Sequence, residues 1–166
     1  IILGANQVGS ALAENLVAEK NDVTVIDSDL QALQALQDRI DIRTIHGHPA
    51  YPTILRKAGA DDADMLIAVT DSDEMNIVAC QVAYTIFHTP TKLARLRAQE
   101  YLSRKELFNN ENAPIDFFIS PERLITEYIS RIIDYPSALQ ILDFADGKVR
   151  MAAINARRNG PLVGKS

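Results

Sequence analysis

The sequence is short of cysteine, of positive charge and of long apolar runs, and each shortage narrows what the chain can be. Its single thiol, Cys80, excludes a framework of internal disulfides and fits a reducing compartment. Basic residues are outnumbered, 17 Lys and Arg against 22 Asp and Glu, giving a formal net charge of −5. Non-specific binding to nucleic acid or to an anionic membrane calls for the opposite balance, so no nucleic-acid partner is expected. No apolar stretch has transmembrane length and no signal-peptide pattern opens the chain, so any membrane process it serves is expected to be served by a peripheral subunit. Missing too are G-x-S-x-G, a Cys–His nucleophile pair and a Lys–Tyr dyad spaced for reduction.

What is present is an ordinary globular composition, 47% hydrophobic and 23% charged over 166 residues, which suits one domain or one domain and the start of another. Strand-like and helix-like segments alternate. The pattern predicts strands over 1–3, 22–26, 42–45, 65–69, 92–96 and 116–119, with helices over 8–18, 30–39, 53–58, 71–87 and 101–108 between them. The run MLIAV at 65–69 is apolar throughout, as in a parallel strand covered on both faces. Such β-then-α repetition predicts an α/β fold, a Rossmann-like doubly wound parallel sheet of six strands ending near Ser120. Ser120-Pro121-Glu122 then reads as a cap, a first-turn proline and a first-turn acid. The helix they open carries Leu124, Ile125, Tyr128, Ile129, Ile132 and Ile133 along one side until Tyr135-Pro136 stops it. Segments 139–145 and 148–154 read as antiparallel strands joined at Asp146-Gly147. The expected organisation is a nucleotide-binding domain at 1–120, a crossover helix at 121–136, and at 137–166 an antiparallel β segment that starts a further module. Because the chain opens inside a strand without methionine, a few leading residues are expected to precede it.

The opening IILGANQVGSAL places Gly4 and Gly9 in the outer positions of a dinucleotide loop, where one glycine permits the tight turn and the other lets the helix pack against the sheet. Asn6 stands where the middle glycine lets the backbone approach a pyrophosphate. Asparagine tolerates left-handed backbone angles, so the turn survives, and its amide can donate to a phosphate, but pyrophosphate affinity is expected to fall. Asp27 ends the second strand about 20 residues after the loop, where a carboxylate accepts from both ribose hydroxyls and repels a 2′-phosphate, favouring NAD over NADP.

A second cluster, TDSDEMN at 70–76, lies at the carboxyl end of the fourth strand, the edge along which open α/β sheets bind ligands. Asp71 and Glu74 have capping-box spacing, which leaves Thr70 the better ligand candidate. Arg95 and Arg97, on one side of the fifth strand, suit either phosphate or an internal salt bridge to a nearby acid. His46-Gly47-His48 lacks a thiolate and is a poor zinc site, Cys80 falls at apolar helical spacing as a core residue, and His88 falls at a helix end.

Taken together, IILGANQVGSALAENL, VTVIDSD, IHGH, ADMLIAVTDSDEMN, LARLRAQEY and FFISPERLITEYISRII resemble the regulator-of-potassium-conductance (RCK, or KTN) domain family over residues 1–136. The resemblance implies a cytoplasmic regulatory subunit, peripheral on the inner face of the membrane and not an enzyme. It would bind NAD(H), with ATP and ADP as further ligands, and gate a TrkH-like membrane potassium transporter subunit. It also implies that Gly4, Ala5, Asn6, Gln7 and Val8 form the phosphate loop, and that Asp27, with Ser28 beside it, holds the adenosine ribose. Gly47 and His48 would line the adenine side, Thr70 and Asp71 the distal part of the nucleotide, and Arg95 and Arg97 would reach phosphate. The helix at 121–133 resembles the family's dimer-forming crossover element, implying a homo-oligomer, and GPLVGKS resembles the approach to its C-terminal ligand domain. The competing expectations are an NAD-dependent oxidoreductase whose substrate domain is missing and a nucleotide domain with only a structural role.

Overall fold

The computed structural model describes residues 1–109, 112–134, 138–144 and 148–154; the expected stop at Tyr135-Pro136, the turn at Asp146-Gly147 and the tail at 159–166 lie outside the described residues. The chain divides into two compact units, Ile1–Ser120 and Pro121–Ser166.

In the first unit the elements run β1 (Ile2–Leu3), α1 (Gln7–Ala18), β2 (Thr24–Asp27), α2 (Leu30–Gln37), β3 (Arg43–His46), α3 (Pro52–Lys57), β4 (Met65–Ala68), α4 (Asp73–Val82), β5 (Thr91–Arg95), α5 (Gln99–Leu102) and β6 (Phe117–Ile119). The six strands form one sheet in the order β3-β2-β1-β4-β5-β6, and every neighbouring pair is parallel. This is the doubly wound order, with its switch point between β1 and β4. Successive residues of a strand face opposite sides, so the sheet is buried twice over. Leu3, Ile26, Leu66 and Ala68 pack with Leu55, Ala79 and Cys80 on one face, while Ile2, Val25, Ile67 and Val69 pack with Ala13, Leu33 and Leu36 on the other. A buried charge joins the far strands: Lys92, 3% exposed, pairs with Asp116 at 2.8 Å and donates to the Thr89 and Pro90 carbonyls.

Two predicted helices differ. The helix predicted at 71–87 begins at Asp73, and its last turn, Ala83–Phe87, widens into a π-helix closed by His88 at φ 53°. The helix predicted at 101–108 is the single turn Gln99–Leu102 followed by the 3-10 turn Lys105–Leu107. Among the described side chains there only Leu102 is buried, and Leu107 is 39% exposed, so they form no continuous apolar stripe to hold a longer helix to the sheet.

The second unit comprises α6 (Pro121–Asp134) and an antiparallel pair, β7 (Ala138–Phe144) and β8 (Val149–Ile154), with Leu142 opposite Met151 and Phe144 opposite Val149. On α6, Ile125, Tyr128, Ile129, Ile132 and Ile133 are spaced as one apolar stripe, all of them between 49% and 71% exposed. Among the described residues no helix is long and apolar enough to cross a membrane.

Candidate functional site

The glycine loop links the buried end of β1 to α1. Its left-handed residue is Gly4, at φ +106°, where an added Cβ would stand 3.1 Å from the Val69 carbonyl oxygen. Gly9 serves the close approach: a Cβ there would fall 1.9 Å from the carbonyl oxygen of Gly4. Asn6 departs from the sequence-based expectation. It is extended, at φ −72°, and uses no left-handed tolerance. It is instead the N-cap of α1, its Oδ1 accepting from the Val8 and Gly9 amides at 3.1 Å each. Its Nδ2 donates to the Val69 carbonyl at 2.7 Å and to Asp71 Oδ1 at 3.4 Å.

Outside the carboxyl ends of β1 and β4 lies a cleft of about 350 Å³, lined by Gly4, Asn6, Asp27, Ser28, Thr70 and Asp71 together with Pro49, Ser72 and Met75. Six of the thirteen residues expected at a nucleotide therefore meet there. Asp27 Oδ2 accepts from Ala5 N at 2.6 Å and Oδ1 from Asp29 N at 2.8 Å, so the carboxylate ties the second strand to the loop. Ala5 and Gln7 line a separate groove between α1 and α2. Gly47 follows β3 and donates its amide to the Asp27 carbonyl. His48 stacks on Tyr51 with ring centroids 4.2 Å apart, and its Nδ1 accepts from Ala50 N.

The loop after β4 is more tightly built than its polarity suggests. Thr70 is 8% exposed, and its hydroxyl donates to Asn76 Oδ1 at 2.7 Å. Asn76, fully buried, also accepts from Thr70 N and donates from Nδ2 to the carbonyls of Thr70 and Arg95, pinning the ends of β4 and β5 together. Asp71 is not the cap of α4. Ser72 is, accepting from Met75 N and donating to Glu74 Oε2. The shift follows from the sequence itself, because Ser72 stands three residues before Met75 as Asp71 does before Glu74, and both suit a cap. Hydrogen bonds from its own backbone amide and from Ser72 hold the Glu74 carboxyl below its ordinary value.

Both arginines meet acids. Arg95 Nη1 lies 3.7 Å from Asp71 Oδ1. Arg97 Nε lies 3.8 Å from Asp73 Oδ1, and Arg97 Nη2 donates to the Asp71 carbonyl. Asp73, 6% exposed, accepts from the backbone amides of Arg97 and Ala98 at 2.8 Å each. Sequence reasoning missed Asn76 and Asp73 as organisers of the site. For Asn76 a signal existed, since it is a polar residue three and four positions before Ala79 and Cys80, on the face that packs on the sheet.

Chemically, the cleft offers a carboxylate at the end of β2, a left-handed glycine turn crossed by the Asn6 side chain, and a helix start. The Asp27 end fits a ribose diol; at the helix start the two amides already have an acceptor in Asn6. Among the described residues no cluster of His, Cys, Asp or Glu could hold a metal.

Residues 1–121 match the family model of the TrkA-N domain. Over 165 residues the chain is 56% identical to the Trk system potassium uptake protein TrkA of Halomonas elongata, covering 99% of this chain and 36% of that protein, so it spans about a third of that relative's length. Two solved structures share the fold. One is the GsuK channel bound to NAD, with a TM-score of 0.70 at 17% identity, covering 87% of this chain and 25% of that one. The other is GsuK bound to ADP, with a TM-score of 0.66 at 20% identity, covering 82% and 34%. On the family match and the identity to its relative, the chain belongs to the TrkA-N domain family.

Proposed function

We propose that this chain is the nucleotide-sensing part of a regulatory subunit of a potassium uptake system, and that the nucleotide is a signal and not a reagent. The observation that carries the reading is the convergence of Gly4, Asn6, Asp27 and Thr70 on one cleft at the switch point, in a chain of a family whose relative is a potassium uptake protein. Fold neighbours bound to NAD and to ADP support adenine nucleotides as the ligand class, with ATP as a further member. Asp27 holds the adenosine ribose and disfavours a 2′-phosphate, Ser28 lies beside it, and Gly47 and His48 flank the adenine. The loop Gly4–Val8 faces the phosphates, and Thr70 and Asp71 the distal end. Arg95 and Arg97 reach phosphate only by exchanging their acidic partners for it. The exposed stripe of α6 pairs two copies of the chain, residues 1–120 carry the nucleotide, and residues 137–166 lead into the rest of the protein. The regulator works at the inner face of the membrane on a TrkH-like transporter subunit.

A ligand shifts such a regulator only through unequal affinity for two conformations. Calorimetry on the full-length protein with NADH, NAD, ATP and ADP, alongside potassium flux in each ligand, tests this. Affinities and fluxes that differ among the ligands are expected. Equal affinities with unchanged flux, or turnover of the bound coenzyme with a metabolite, would overturn the sensor.

A further inference from the structure

The loop's own side chain stands where phosphates would go. Val8 and Gly9, the second and third residues of α1, carry two of the unpaired amides through which a helix start holds an anion, and both donate to Asn6 Oδ1. From the other end of the same side chain, Nδ2 binds the Val69 carbonyl and Asp71. Asn6 is therefore held at both ends and spans the switch point, from the loop after β1 to the loop after β4. The acceptor it lends to α1 is a neutral amide oxygen, weaker than an ionised phosphate oxygen in the same position. A phosphate arriving at the Val8 and Gly9 amides has to expel Oδ1, and the rotation that frees Oδ1 withdraws Nδ2 from Val69 and Asp71 as well. Asp71, whose side chain is 77% exposed, then keeps Arg95 as its charged neighbour.

We infer that Asn6 is an internal occupant of the phosphate subsite, a latch that only a phosphorylated ligand opens; this rests on the nucleotide reading above. Adenosine fills the Asp27 end and leaves the latch closed. ADP or a dinucleotide fills the same end and displaces Asn6, so the charge on the ligand, and not its base, releases the loop after β4. The latch also lowers phosphate affinity relative to a glycine at this position, because each binding event first breaks the cap.

The test is calorimetry on the full-length protein and two variants, with adenosine, ADP and NAD as the probes. Asn6→Gly removes the occupant, and glycine is itself accepted at an N-cap. ADP and NAD are expected to bind about tenfold more tightly to it, the worth of one net hydrogen bond no longer broken, with adenosine unchanged. Asn6→Asp keeps a capping acceptor but turns a negative charge toward the incoming phosphate, and is expected to weaken ADP and NAD about tenfold or more while sparing adenosine. Should Asn6→Gly fail to fold, Asn6→Ala at the same extended backbone angle removes both Oδ1 and Nδ2, and a gain for ADP over adenosine is expected there too. An unchanged or weaker ADP affinity in the glycine or alanine variant, or an equal gain for adenosine, overturns the latch while leaving the nucleotide site standing. Absence of binding by all three probes to both wild type and variants overturns the nucleotide site and the latch with it.

Discussion

Cys80 and Asn6 show how differently two residues of one chain can be read. Cys80 was predictable as core from helical spacing alone, and it is fully buried. Burial pushes its thiol from 9.0 up to about 12. Because the folded value is the higher one, the thiol's contribution to stability is complete below about pH 9 and is lost as pH rises through 12. Iodoacetamide is therefore expected to leave the native protein unlabelled at pH 8 and to modify one thiol per chain in denaturant, read by mass. Urea denaturation at pH 8 and pH 11 is expected to give a lower midpoint at the higher pH. The Tyr101 phenol, raised by the neighbouring Glu74 carboxylate, acts in the same direction. Asp27 was equally legible, because spacing from the loop and position at a strand end place an acid there whatever the ligand. Asn6 was not. An asparagine just before a helix suits both a left-handed turn and a cap, and only the backbone angles distinguish the two.

Among the elements, the parallel strands could be read closely because each is a short apolar run between polar turns, and burial on both faces leaves such runs little freedom to be anything else. The helix starts were harder. α4 carries two overlapping cap patterns one residue apart, and α5 has too few apolar anchors to declare its length. The inter-element contacts of Asn76 were hidden because the sequence shows a polar residue on a packed face without its partners. Replacing Asn76 with Ala removes the buried acceptor of the Thr70 amide and the side-chain donor to the Arg95 carbonyl, a loss expected to be about 3 kcal/mol. A urea series should show that loss as a lower midpoint with an unchanged slope. A loss below about 1 kcal/mol would mean that water replaces the side chain and that the strand ends are held by other means.

At the scale of the whole molecule, the six-stranded doubly wound parallel sheet and the apolar stripe of α6 were both legible, the first from the alternation of elements and the second from spacing at i, i+3 and i+4. If that stripe pairs two copies, Ile129→Asp sets a charge in the middle of it. The dimerisation constant is then expected to weaken about 100-fold or more by sedimentation equilibrium, with nucleotide affinity unaffected. An unchanged constant would place the subunit contact elsewhere. The central position of β1 has a further consequence, one of timing. Its neighbours are β2, within the first 27 residues, and β4, which begins only at Met65. As the chain leaves the ribosome, β1 can pair with β2, and β2 with β3, early, while the other margin of β1 waits open for some 40 residues' worth of synthesis, the kind of bare strand that invites wrong partners. During that interval the Asn6 amide nitrogen has no Val69 carbonyl to hold, so the glycine loop and the open margin of β1 wait on the same later stretch of chain.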